Sequence, residues 1–191
     1  MSREDRVSEF ADAALRVVER EGMAALSFRT VAAESGWSVG AVQKAFATKQ
    51  ELLLAALERA QATVASEVSS RPAQPDLRTW LSDLVMETLP LDGARRAAVV
   101  VGIAFADRAP FDADIAEILQ EQSEAMRAQL VRLFAWRRAE GELRSVLDDA
   151  TIAGALLAFA GGLASELIYT PADPDRIDKL VRVTVDALLR P

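Results

Sequence analysis

The 191-residue chain has no cysteine and no histidine. The first absence excludes disulfides, thiolate zinc sites and thiol nucleophiles. The second removes the Ser-His triad, imidazole acid-base chemistry and every histidine metal ligand, including those of a Glu-x-x-His motif. Neither a metal nor a cofactor is expected. Carboxylates remain, so a helical enzyme working through Asp83 or Glu87 stays open, as does a helical dimerisation module that binds no DNA. Strand-like alternation of polar and apolar residues is missing, and there is no internal repeat or low-complexity segment. The opening MSREDRVSEF has no apolar signal-peptide core, which leads to the expectation of a cytoplasmic protein.

Lysine is also scarce, with three in all, two of them Lys44 and Lys49. The remaining composition, 51% hydrophobic and 27% charged, is that of an ordinary globular protein with room for one large or two small domains. A net charge of −7 argues at first against nucleic acid, but the charge is unevenly placed. Residues 1–50 hold seven basic and seven acidic side chains, while residues 51–191 hold the other 15 basic and 22 acidic ones. The acidic part is repelled by phosphates, so only the first part is a candidate DNA surface.

Apolar spacing predicts an all-α fold of about nine helices. The first, 3–21, lines up Val7, Phe10, Ala11, Ala14, Leu15 and Val18, with Ser2 as N-cap, Asp5 three residues on and Gly22 as a left-handed stop. Its apolar face is expected to pack on the two short helices that follow. Ser27 caps the second, which runs to about Ser35. Gly36 then supplies the positive φ of a tight turn, with Trp37 beside it. Ser38 caps the third, 39–45, in which Val39, Val42 and Phe46 are the expected anchors. Thr48-Lys49-Gln50-Glu51 matches a capping box, Thr48 and Glu51 satisfying each other's amides at the head of a fourth helix reaching about Ser69. Arg71-Pro72-Ala73-Gln74-Pro75 breaks the chain. Helices are then expected at 76–89, 94–107, 112–139, 151–169 and, after Asp173-Pro174, 175–189. Val99 to Val101, Ile103 and Phe105 mark the sixth. Ile177, Leu180, Val181, Thr184 and Leu188 form the expected stripe of the ninth.

Helix, tight turn, helix is the pattern of a helix-turn-helix, whose second helix reads base edges in the major groove. On the third helix, Gln43 suits adenine, Lys44 suits guanine acceptors or a phosphate, and Ala41 suits a thymine methyl. Gly40 and Ala41 let the backbone sit close to DNA. Ser27, Arg29, Thr30, Ser38, Thr48 and Lys49 fall at or beside helix starts, where amides, hydroxyls and cations suit phosphates. With Val39 these are the candidate DNA-binding residues. The alternative is ordinary solvated helix ends whose hydroxyls serve only as caps.

These residues resemble the N-terminal domain of TetR-family transcriptional regulators. The match lies in Gly22, Leu26-Ser27, Val31-Ala32, Gly36, Ser38-Val39-Gly40, Phe46, Lys49 and Leu52. At Gln43 and Lys44 that pattern commonly carries an aromatic pair, and here both residues are polar. The remainder is similar in helix count and order to the BetI-like branch. The resemblance implies a helix-turn-helix DNA-binding domain over 1–47 and a helical ligand-binding and dimerisation domain over 48–191. It also implies a homodimeric repressor, on a palindromic operator, released by a small molecule.

The eighth segment, TIAGALLAFAGGLASELIY, is apolar on nearly every face. A membrane span and a core helix both fit, but Glu166, Ser165, Thr151 and two adjacent glycines weigh against the span. The favoured reading is a helix buried on two sides, by its own core and by a second copy of the chain. Ala155, Ala158, Gly161 and Gly162 then meet the partner together with Ile177, Leu180, Val181, Thr184 and Leu188. The family resemblance implies a four-helix interface there. A largely apolar effector chamber is expected among Trp80, Leu84, Phe105, Phe111, Met126, Leu130, Phe134, Phe159 and Leu163, a plain packed core being the alternative.

Overall fold

A computed structural model describes residues 2–69, 76–170 and 173–191. The expected break over Arg71-Pro72-Ala73-Gln74-Pro75 lies outside the described residues. Nine α-helices are present, with no strand among the described residues. Caps set their starts. The Ser2 hydroxyl accepts the Asp5 amide at 3.0 Å and the Asp5 carboxylate accepts the Ser2 amide at 2.7 Å, opening α1, Arg3–Glu21. Gly22, at φ 79°, ends it. Ser27 and Thr30 cap each other at the head of α2, Phe28–Ser35. Gly36 sits at φ 74° and ψ 14°, the left-handed geometry the turn requires. Ser38 caps α3, Val39–Ala45.

At α4, Lys49–Ser69, the capping box differs from expectation. The Thr48 hydroxyl accepts the Glu51 amide at 3.1 Å, but the Glu51 carboxylate takes the amide of Ala47, at 2.8 Å, instead of that of Thr48. The long glutamate side chain reaches one residue further back than the motif assumes. There follow α5, Leu77–Thr88; α6, Gly93–Ala106; α7, Ala113–Ala139; α8, Asp149–Leu167; and α9, Pro174–Leu189. Single 3₁₀ turns at Met23–Ala25 and Ala109–Phe111 are too short to leave a periodic signal.

Two compact units form. The first joins the chain up to Ser69 with Pro90–Asp107; the second takes Leu89 and its predecessors from Ser70, and everything from Arg108 onward. In the first unit α1 packs on α4 and α6 as well as on α2. Its expected packing on the two short helices is present, and two longer helices cover it as well. Ala13 and Val17, outside the expected stripe, are therefore fully buried. Phe10 sits at the centre, edge-on to Trp37 at 6.1 Å and to Phe46 at 6.3 Å. From α6, Ala97, Val101 and Phe105 are buried in this unit, whereas Ile103 is exposed. The unit that packs together is thus larger than 1–47.

In the second unit α5 lies on α9, α7 on α8, and α8 on α9 and α5. The α7–α8 turn is held by Arg138, which donates to the carbonyls of Ser145 and Leu147 and pairs with Asp149 at 2.8 Å. The Ser145 hydroxyl donates to the Leu188 carbonyl at 2.8 Å, tying that turn to the end of α9. By length and composition α8 could cross a bilayer; one side of it buries Ile152, Ala153, Leu156, Leu163, Ala164 and Leu167, and the other leaves Ala158, Gly161 and Gly162 exposed. The buried stripe of α9 is Ile177, Val181, Val185 and Leu189, a strict four-residue repeat. Leu180 is exposed, and Thr184 and Leu188 are only half-buried. Apolar residues occupy two sides of α9, so periodicity alone merges them into one stripe.

Candidate nucleic-acid interface

The head is built so that α3 is held from one side and open on the other. Val42 is fully buried and Phe46 nearly so, while Val39, Gly40, Gln43 and Lys44 are exposed and Ala41 is half-buried. Val39 was expected as an anchor, but it is 38% exposed. It is the first residue of a seven-residue helix, where no neighbouring turn covers it.

The hydroxyls divide from the cations. The Thr30 hydroxyl donates to the Ala25 carbonyl at 2.8 Å and accepts the Ser27 amide at 2.9 Å, so it is engaged inside the unit. The Ser27, Ser38 and Thr48 hydroxyls all accept capping amides, from Thr30, Ala41 and Glu51. In this structure the hydroxyls do the work of caps. Arg29, Lys44 and Lys49 are exposed and enter no ion pair with the other described residues.

The remaining charges hold the head in shape. Arg16 Nε and Arg20 Nη1, one turn apart on α1, each pair at 2.8 Å with Glu34 on α2. Hydrogen bonds from Arg16 and then Arg20 hold the Glu34 carboxyl below its ordinary value. Arg59 on α4 grips Asp12 on α1 through two contacts, at 2.8 and 3.2 Å. These positioning residues carry no local sequence signal. Their partners lie 14 to 47 residues apart, and only the packed helices bring them together.

The expected chamber residues scatter. Leu130, Phe134 and Leu163 are buried and Trp80, Leu84 and Phe159 half-buried, all in the second unit. Phe105 is buried in the first unit instead. Phe111 is 91% exposed on its 3₁₀ turn and Met126 is 42% exposed, so neither is an interior side chain. An open groove of about 520 Å³ follows α7 along Glu117, Gln120, Glu121, Glu124, Ala125 and Ala128, and shares none of these residues. On α8, Ala158, Gly161 and Gly162 are exposed and Ala155 is half-buried. On α9, Leu180 and Val183 are exposed, while Ile177 and Val181 belong to the unit's own core.

Residues 10–56 match the family model for bacterial regulatory proteins of the tetR family, and residues 75–190 match that for the C-terminal part of BetI-type transcriptional repressors. The chain belongs to the TetR family. It is a DNA-binding transcriptional regulator, and the carboxylate-enzyme reading gives way because this family is one of regulators. Among relatives, the HTH-type nicotine-responsive transcriptional repressor HdnoR of Paenarthrobacter nicotinovorans is 29% identical over 190 residues, 95% of either chain. The HTH-type transcriptional regulator PksA of Bacillus subtilis (strain 168) is 25% identical over 97% of this chain and 90% of its own. A solved transcriptional regulator from Rhodococcus sp. Rha1 superposes with a TM-score of 0.79 at 29% identity, covering 99% of this chain and 96% of that one. The multidrug binding protein EbrR, solved in complex with ethidium, gives 0.72 at 29% identity over 97% and 99%. This TetR-family regulator keeps the helix-turn-helix, while its Gln43 and Lys44 stand exposed on α3.

Proposed function

We propose that the protein is a cytoplasmic, ligand-responsive repressor that binds a palindromic operator as a homodimer and is released by a largely apolar small molecule. The observation that carries this reading is the outward side of α3, where Gln43 and Lys44 stand exposed and no ion pair with a described residue holds Lys44. Gln43 pairs with an adenine edge, Lys44 with guanine or a phosphate, and Arg29 and Lys49 with flanking phosphates. Residues 1–47 then form the reading part and 48–191 the effector and pairing part.

The exposed small and aliphatic residues Ala158, Gly161, Gly162, Leu180 and Val183 support pairing of two copies through α8 and α9. Two-fold pairing places the recognition helices roughly 34 Å apart, one turn of DNA, and so calls for a palindrome. Effector control follows from population shift: a ligand that binds the DNA-incompetent conformation more tightly draws the dimer away from its operator. HdnoR is named as nicotine-responsive and EbrR as multidrug binding, which favours a small organic effector here too.

The test is a gel-shift titration on duplex DNA flanking the protein's own gene, paired with light scattering for molar mass. A dimer giving a salt-sensitive, sequence-specific shift is expected. A protein that shows no preference for that duplex over random sequence overturns the reading.

A further inference from the structure

Between Asp149 and Asp173 the chain carries a single charged side chain, Glu166 on α8. It stands exposed one turn beyond Gly162, on the side that also leaves Ala158 and Gly161 bare. Most charges of α9, by contrast, have a use within the chain. Asp173 caps the helix, and Asp175 suits its amide end. Asp178 pairs with Arg182 at 2.8 Å, and Asp186 pairs with Arg78 on α5. Arg190, at the C-cap, suits the carbonyl end. Arg176 and Lys179 are left, both exposed on the side that also exposes Leu180 and Val183. Glu166, Arg176 and Lys179 enter no ion pair with the described residues. Two of them also stand at the wrong helix ends. Glu166 is the penultimate residue of α8, where exposed carbonyls repel an acid, and Arg176 lies in the first turn of α9, where exposed amides repel a cation.

A second copy of the chain offers the opposite charges at the same level. Helices α8 and α9 are consecutive and pack on each other, so the end of one lies beside the start of the next. In a two-fold, up-and-down bundle each α8 lies between its own α9 and that of the other copy, with its end level with the start of both. We infer that Glu166 of each copy meets Arg176 and Lys179 of the other, and that these two identical clusters select a like chain as partner. The inference rests on the pairing of α8 and α9 proposed above and adds which partner that surface accepts. Its small and aliphatic residues supply contact area, but apolar attraction is non-directional and does not tell one such chain from another. Charge does, because a related helical chain with a different pattern brings like charges face to face.

The experiment compares four forms of the full chain: wild type, Glu166→Lys, Arg176→Glu with Lys179→Glu, and all three reversals together. Light scattering over a dilution series reads dimer dissociation, and native mass spectrometry of copies that differ by a tag counts mixed dimers. Each partial reversal is expected to weaken its own dimer about tenfold or more, because like charges then meet twice. Mixed in equal amounts, the two partial reversals are expected to form mixed dimers well above the proportion of about one half that random exchange of a two-fold dimer gives. The triple reversal is expected to dimerise like wild type yet to exclude wild type from its dimers. High salt is expected to flatten these differences. Partial reversals that dimerise like wild type, or that mix at or below the random proportion, overturn the proposal alone, as does free exchange between the triple reversal and wild type. A wild-type chain that stays monomeric overturns the pairing reading beneath it.

Discussion

The outward side of α3 and the outward side of α8 and α9 are both open to solvent, but they are made of opposite materials. The first offers an amide and an ammonium group around a glycine, above a core of Phe10, Val42 and Phe46. The second offers Ala158, Gly161, Gly162, Leu180 and Val183, above a core of Ile152, Leu156 and Val181. A polar, cation-bearing surface stays hydrated until a polyanion replaces the water. A surface of small and aliphatic groups gains by being covered, and shallow side chains let another helix come close. The charge follows the same division: residues 1–50 are neutral, and residues 51–191 carry the full −7. Exposure alone therefore does not identify a site; what is exposed, and over which core, does.

The contrast can be broken hardest from inside the head. Phe10→Ala empties the position that Trp37 and Phe46 pack against, and is expected to destabilise the protein by about 3–5 kcal/mol. Chemical denaturation measures this loss, and DNA binding should fall with it. Next comes the other surface. Gly161→Arg adds a charge where the added Cβ has nothing within 4 Å, so the protomer should fold normally. Light scattering should then report a monomer, with operator affinity lower by about 10²-fold or more from lost bivalency; a dimer with wild-type affinity would place the pairing surface elsewhere.

Gln43→Ala tests the reading surface without touching either core. It should cost about 1–3 kcal/mol of specific binding and relax the preference at one base pair, read by selection from a randomised duplex pool. The smallest effect is expected at Glu34. Its folded carboxyl is held below the ordinary 4.5 by hydrogen bonds from Arg16 and then Arg20. A depressed carboxylate contributes stability above its unfolded value and loses it as the pH falls through the folded one. Glu34→Gln should therefore be less stable than wild type at neutral pH. The gap should close on acidification below about 4.5, in unfolding midpoints measured across that range.

Helix boundaries were legible because caps are local chemistry. Ser2, Ser27, Ser38 and Asp173 stand one residue before their helices, as read from sequence. Burial was legible only where one face meets one neighbour. Ala13 and Val17 on α1 escaped because α6, some 80 residues further along, packs on α1 as well. Leu180 was read into the buried stripe of α9 because that helix is apolar on its covered and uncovered sides alike. Phe105 and Phe111, six residues apart in sequence, end up in different units, one buried and one bare. Residue type and spacing put Gln43 and Lys44 on the exposed side of α3, where the structure has them, but the ion pairs that steady the head, Arg16 and Arg20 with Glu34 and Asp12 with Arg59, needed the third dimension.

The first packing unit is discontinuous in sequence, and this bears on any attempt to exchange heads between relatives. A fusion cut after Ser69 would transplant α1 without its own α6, setting it against the recipient's counterpart of Ala97, Val101 and Phe105. The cassette that keeps this packing whole is a two-piece graft, residues to Ser69 together with Pro90–Asp107.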